Sequence, residues 1–416
     1  MGKNARDRRH IPNLPPVERI ELKEKHTAAK LVLAALGIIV LGAALAVALT
    51  GMLRVERGWR DIENNGEYGV HLSAEVRLAC DLGAGEESPG AQFRRITDCY
   101  SRESAYLYRL LDARNLSGDT GNLALLNRHP NEAVRLDEAL CEMLEKAETS
   151  GRTHYLAPVW DGCLCLFYAE NDAEADAWDP ARNPELREFN RRAASFAGDA
   201  SSVSLEFLPD RNVILRVSDE YLAFAEEYGA ETFVDFGPVR NAFAADALFD
   251  ALSREGFDRF IVYSSDGYTR ARGDAVPPLT FALSDTTEDG KPRVPAKVQI
   301  APPCAALCWQ SVLADSSNPY QYVRADGELR GAFVDLSDGG LRAGAASLFA
   351  GSAQCGCADL ALALYPLYSC ETVDPRAVDA LAESGISAAL VADHQIHTSD
   401  PLLALTEVYG SAVRQE

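Results

Sequence analysis

Apolar positions recur at helical spacing most clearly in the middle of the chain. From Ala242 onward, Ala245, Leu248, Phe249 and Leu252 fall at i, i+3, i+4 and i+7, which is one face of a helix. Thr232–Phe236 before it is short and β-branched or aromatic, so it reads as a strand broken by Gly237 and Pro238. Gly256 stands where a C-terminal cap is wanted, and Arg259–Tyr263 is a second strand running into the turn Ser264–Gly267. A helix that starts after a glycine turn leaves free backbone N–H groups, which can hold a phosphate. Most joints of this kind are plain structural turns.

The same reading extends along the chain. Val70–Leu82 alternates and predicts a first strand, and Arg54–Asn65 before it reads as a helical stalk. Helices are predicted over Ala91–Leu111, over Leu136–Thr149 (Leu136, Leu140, Met143 and Leu144 on one face) and over Pro184–Phe196. Tyr155–Trp160 and Cys163–Phe167 read as strand or loop pieces. Val203–Leu208 and Asn212–Val217 flank Pro209-Asp210-Arg211, a hairpin signature. Strands are expected at Leu279–Leu283, Lys297–Ile300 and Ala332–Leu336, and a helix at Ala358–Leu367. Near the C-terminus Val378–Gly385, Ile386–Val391 and a turn at Ala392–His394 repeat the central helix, glycine, strand, turn order. That repetition suits a duplicated α+β unit.

One run breaks the globular pattern. Leu31–Leu53 holds no charged residue over 23 positions, long enough to cross a bilayer as a helix. Residues 1–30 carry eight basic and four acidic side chains, a net +4, while the remainder carries −26 of the total −22. The basic excess before the span predicts a cytoplasmic N-terminus and an extracytoplasmic main domain. The domain plan is thus a cytoplasmic tail (1–30), a transmembrane helix (31–53), a stalk (54–69) and one folded domain (70–416). So acidic a domain has no basic surface for nucleic acid. All ten cysteines follow the span, where disulfides are permitted but their pairing cannot be deduced. Cys163-Leu-Cys165 and Cys355-Gly-Cys357 could supply four thiolates, but they lack nearby histidine and the usual two-residue spacing, which favours disulfides or buried thiols over a metal site.

Several segments then resemble, in order, the ApbE family of FAD:protein FMN transferases. The family motif DLGAIAKGYAAD corresponds to Asp235-Phe-Gly-Pro-Val-Arg-Asn-Ala-Phe-Ala-Ala-Asp246. Upstream, Gly121–Asn127 and Gly151–Pro158 match two further runs, and the family N-L-G-G-N falls on Ser264–Tyr268. A-T-S-G falls on Ala314–Ser317, the run around the histidine pair on Asp326–Gly339, and A-D-A-L-x-T-A on Ala358–Leu364. The resemblance covers about residues 70–410. It implies an α+β, T-fold-related extracytoplasmic domain that binds FAD and Mg²⁺ and moves FMN to a threonine of a flavoprotein acceptor. It also implies flavin contacts from Tyr155, Asp235, Asn241 and Phe333, with Mg²⁺ held by the Pro238 carbonyl, the Asp359 carboxylate and a hydroxyl at position 363. Hard oxygen donors of this kind suit Mg²⁺ bridging a pyrophosphate.

The departures fall on the chemistry. Position 363 is Ala363, the motif lysine is Asn241, the glycine after it is Ala242, and the first glycine of the strand turn is Asp266. The histidine pair is Gly331-Ala332, and the aromatic–acid pair is Tyr155-Leu156. Losing a lysine contact to phosphate removes roughly 1.5–3 kcal/mol, and roughly 1.4 kcal/mol is tenfold in rate. The expectation is therefore an FMN transferase scaffold whose site is degenerate. The alternative is a non-catalytic flavin-binding or protein-interaction module. Either version requires a dinucleotide-sized cleft between Asp235 and Asp359.

Overall fold

The structure is a computed structural model, and it describes residues 55–118, 120–274, 276–312, 318–400 and 403–407. The expected cytoplasmic tail (1–30), the expected span (31–53) and the Ala314–Ser317 match lie outside the described residues. Among those described, no helix is long and apolar enough to cross a membrane.

The scaffold is an eight-stranded sheet in the order β1-β2-β6-β7-β10-β13-β14-β15, with every neighbouring pair antiparallel. Its strands are β1 (Gly58–Ile62), β2 (Val76–Leu82), β6 (Phe260–Ser264), β7 (Tyr268–Arg272), β10 (Cys304–Gln310), β13 (Ser347–Ser352), β14 (Ser387–Ala392) and β15 (Gln395–Thr398). Three helices pack on it. Helix α1 (Pro89–Leu110) lies on β1 and β2, α8 (Arg240–Arg254) on β6 and β7, and α9 (Cys357–Tyr368) on β10 and β13. Ser88 caps α1 by accepting from the Ala91 N–H, with Pro89 at its first position. Over part of the sheet lies a three-stranded sheet of β8 (Leu279–Thr286), β9 (Pro292–Ile300) and β16 (Ala404–Glu407). Leu283, Val298, Phe349, Ala389 and Val391 close the core between the two sheets.

Between α1 and α8 the chain adds α2 (Leu123–Arg128), β3 (Ala133–Arg135), α3 (Glu138–Ser150), α4 (Ala157–Phe167), α5 (Asp172–Trp178) and α6 (Pro184–Gly198). It then adds β4 (Val203–Leu208), β5 (Asn212–Val217) and α7 (Asp219–Tyr228). Strands β3, β5 and β4 form a separate small sheet. A hairpin of β11 (Gln321–Val323) and β12 (Leu329–Gly331) and a short helix α10 (Asp379–Glu383) complete the elements the argument uses.

The α+β class, the three long helices read from periodicity and the β4–β5 hairpin all appear. Four readings differ. Arg54–Asn65, expected as a helical stalk, contains β1, which pairs with β2 from Gly58↔Leu82 to Ile62↔Leu78. Tyr155–Phe167, expected as strand or loop pieces, forms a 3-10 turn (Thr153–Tyr155) and then α4. The helical spacing Leu156, Val159, Trp160, Cys163 is interrupted to the eye by Asp161-Gly162, while Pro158 starts the helix. Ala332–Leu336 makes a single bridge, Val334↔Leu341, rather than a strand.

The fourth difference is Thr232–Phe236, which belongs to no ladder and ends with Phe236 in a helical conformation. The Asn127 side chain takes the place of a neighbouring strand. Its Oδ1 accepts from the Phe233 and Val234 N–H groups at 3.1 and 2.9 Å, and its Nδ2 donates to the Val234 carbonyl at 2.9 Å. Asp235 N–H donates to the His154 carbonyl at 2.9 Å. Burying backbone polar groups demands such partners, and an amide side chain can supply both polarities. The repeated α+β outline is present as two hairpins, β6–β7 and β14–β15, on either side of β10 and β13 in one sheet. The ten cysteines are free thiols.

Candidate functional site

The Asn127 clip delivers residues 235–239 to the start of α8. Gly237 sits at φ +51°, and a Cβ there would strike the Trp160 indole, so only glycine allows the turn against that ring. Gly237–Val239 forms a 3-10 turn that leads into α8 with no side-chain cap. Arg240 and Asn241, the first residues of α8, reach two carboxylates carried by other elements. Arg240 Nη2 pairs with Glu75 Oε2, and also donates to the Tyr320 hydroxyl at 2.7 Å. Tyr320 donates to Glu75 Oε2 at 2.5 Å. Asn241 Nδ2 donates to Glu75 Oε2 at 3.2 Å and to Asp266 Oδ2 at 3.0 Å. The Oδ1 atoms of Asn241 and Asp266 are enclosed and have no partner.

Charge follows from this packing. Burial pushes Glu75 up, but Arg240, Tyr320 and Asn241 outweigh it and hold the carboxyl below its usual range. Among the described residues no ion pair reaches Asp266, and burial, helped by the Glu75 charge and opposed by Ser264, pushes it up to about 7. Burial also raises Asp235, against the Gly237 N–H that donates to its Oδ1 at 3.0 Å.

Two hollows meet at this network and share Pro238, Tyr320 and Ala332 as a wall. The first, about 550 Å³, is lined by Asp266, Trp309, Phe333 and Tyr368 among others. Phe333 packs at 4.6 Å from Trp309 and 4.7 Å from Tyr368, centroid to centroid. The second, about 480 Å³, is bounded by Glu75, Trp160, Tyr168, Asp235 and Arg240. Both volumes fall in the range of small-molecule sites, roughly 300–1,000 Å³. Each arginine lining them is already paired: Arg330 with Asp179 and Glu328, Arg342 with Asp335 and Asp338, Arg240 with Glu75, and Arg114 with Asp161.

Of the residues chosen from sequence, Asp235, Pro238 and Phe333 line these hollows, and Asn241 reaches their wall through Asp266. Tyr155 and Asp359 line neither. Tyr155 is fully buried, and its hydroxyl donates to Glu148 at 2.7 Å under the Arg152 guanidinium. Asp359 is bound by Lys146 at 2.7 Å and by the Gly356 N–H at 2.8 Å. Neither of these two hollows is lined by both Asp235 and Asp359. Nor do the implied Mg²⁺ ligands fit that ion. The Pro238 carbonyl accepts from the Tyr268 hydroxyl at 2.9 Å, Asp359 is paired, and Ala363 presents a methyl group.

Glu75, Arg240 and Tyr320 were missed from the sequence. Arg240 adjoins Asn241 inside the motif, which is a local signal. Glu75 and Tyr320 lie 165 and 80 positions from Arg240 and carry none.

No family model matches the sequence, and no curated protein matches it. Solved structures do. The ApbE protein of Thermotoga maritima is 15% identical, with 85% of this chain and 97% of that chain covered at a TM-score of 0.52. The flavin transferase ApbE of Vibrio cholerae is 12% identical over 85% of this chain and 97% of that one, with a TM-score of 0.51. Identity this low establishes the fold: the domain has the ApbE architecture.

Proposed function

We propose that this chain is an ApbE-like protein that holds a flavin ring in the aromatic hollow and does not transfer FMN. The observation that carries the reading is the pairing of every arginine that lines the hollows. A pyrophosphate needs cations for its two charges, and here the protein's own carboxylates take them. Trp309, Phe333 and Tyr368 still offer a planar ligand an apolar, aromatic wall. Catalysis requires donors aimed at developing charge, whereas the Arg240 Nη2 is already taken by Glu75 and Tyr320.

The full chain is to be titrated with riboflavin and with FAD while flavin fluorescence is followed, then incubated with FAD, Mg²⁺ and a threonine-bearing flavoprotein acceptor. Quenching by riboflavin at least as strong as by FAD is expected, with no change in acceptor mass. An acceptor heavier by one FMN would establish the transferase instead, the activity named for the Vibrio cholerae protein. No quenching by either flavin would remove the binding reading.

The anchor belongs to the same proposal. The uncharged 31–53 run and the basic excess before it support a domain outside the cytoplasm with the N-terminus inside. Protease added to intact cells is expected to remove the domain and leave the basic tail protected. A domain that survives until the cells are lysed would reverse the orientation.

A further inference from the structure

Helix α9 begins among charges. Its first N–H groups, those of Cys357 and Ala358, each donate to Asp246 at 2.9 Å, and Asp246 in turn binds Arg270 Nη1 at 2.6 Å. Asp359, three residues in, folds its Oδ2 back onto the Gly356 N–H at 2.8 Å. Its Oδ1 accepts from Lys146 Nζ at 2.7 Å. Lys146 comes from α3, 213 positions away, and α3 packs against α9. Burial pushes Asp359 up, yet Lys146 and the Gly356 N–H outweigh it and keep the carboxyl below its usual range.

Asp359 is the one side-chain oxygen left of the ligand set that the family resemblance implies for Mg²⁺. That ion demands near-octahedral oxygen geometry at roughly 2.0–2.1 Å. Here both oxygens of the carboxylate have donors, the Pro238 carbonyl is used by the fully buried Tyr268, and the exposed Ala363 has nothing to coordinate with. The positive end of α9 and the Arg270 guanidinium already act on Asp359 beside Lys146, so a doubly charged ion would meet cations there already.

We infer that the Lys146 ammonium takes the place of the divalent cation at Asp359, so that this centre carries a positive charge built into the chain and takes up no Mg²⁺. The inference shares with the proposed function only the resemblance that identifies the ligand positions. A tethered ammonium needs no metal supply, and the pair it makes between α3 and α9 leaves both side chains 40% exposed, so it contributes charge more than stability.

The test is thermal unfolding of the full chain with and without millimolar Mg²⁺, which reads no flavin and so stands or falls apart from the flavin proposal. The wild-type midpoint is expected to be indifferent to Mg²⁺. The double variant Lys146→Met with Ala363→Thr, which clears the ammonium and restores a hydroxyl, is expected to gain a Mg²⁺-dependent rise that Asp359→Asn then abolishes. A wild-type midpoint that rises with Mg²⁺ and loses the rise in Asp359→Asn would overturn the assignment. So would a double variant that keeps its native circular dichroism and ignores Mg²⁺.

Discussion

Asp266 is where a single substitution changes the chemistry most visibly. In the family pattern that position is glycine; here a carboxyl is enclosed beside Glu75 and is pushed up to about 7 by burial. In the unfolded chain it ionises near 4. Between those values the unfolded chain has lost a proton that the folded chain keeps, so stability falls as pH rises across that window and levels off above it. The fall should amount to at most about 4 kcal/mol. Asp266→Asn is expected to flatten it, as read from urea midpoints at a series of pH values. Glu75 works in the opposite sense and at more acid pH. Its carboxyl is held low in the fold, so its stabilisation is present above its unfolded pKa and lost as pH falls through its folded one. The motif alignment located Asp266 and Asn241, but not the bond between them. Spacing along a chain reports which residues share an element, not that Asn241 would lie between two carboxylates from separate loops.

At the level of elements, periodicity located α1, α3 and α8, because an amphipathic helix writes its buried face into its own sequence. It did not separate a ladder strand from the irregular segment Thr232–Phe236, since both are short and β-branched or aromatic. What decides between them is Asn127, about a hundred residues upstream. Asn127→Leu keeps the approximate size of the side chain and strands four backbone groups, the Phe233 and Val234 N–H and the Val234 and Ala113 carbonyls, each worth roughly 1–3 kcal/mol when buried without a partner. A loss of about 3 kcal/mol or more in denaturant unfolding is expected, with Asp235 and Pro238 displaced from the hollows. A loss under about 1 kcal/mol would mean that water replaces the clip.

For the whole molecule, the β11–β12 hairpin links the aromatic hollow to the added α4–α6 region. Tyr322 donates to Asp172 at 2.8 Å, Arg324 to Asp176 at 2.8 Å, and Arg330 to the fully buried Asp179 at 3.0 Å. The hairpin also presents Gln321, Leu329 and Arg330 to the hollow. Arg324→Ala is expected to raise amide hydrogen exchange across residues 320–332 several-fold while leaving β10 and β13 unchanged, because the latch is local and the sheet is not. Equal acceleration in both places would show that the latch supports the fold as a whole. Sequence reasoning saw neither end of it: no element is predicted over Asp172–Asp179, and Asp326–Gly339 stands as a motif match. Their complementarity exists only once the chain has turned back on itself.

The long sheet leaves two rims among the described strands, β1 and β15. A bare rim invites another chain to extend the ladder, and short or charged rims discourage it. Strand β1 is five residues long with Arg60 and Asp61 exposed, and Arg60 is tied to Glu56 at 2.8 Å; β15 is four residues long. A second copy trying to lengthen the sheet would have to strip hydrated side chains from the first rim and would find almost no length on the second. The architecture therefore caps its own growth, and crowding on a surface should leave neighbouring copies apart instead of stitching them into a fibre.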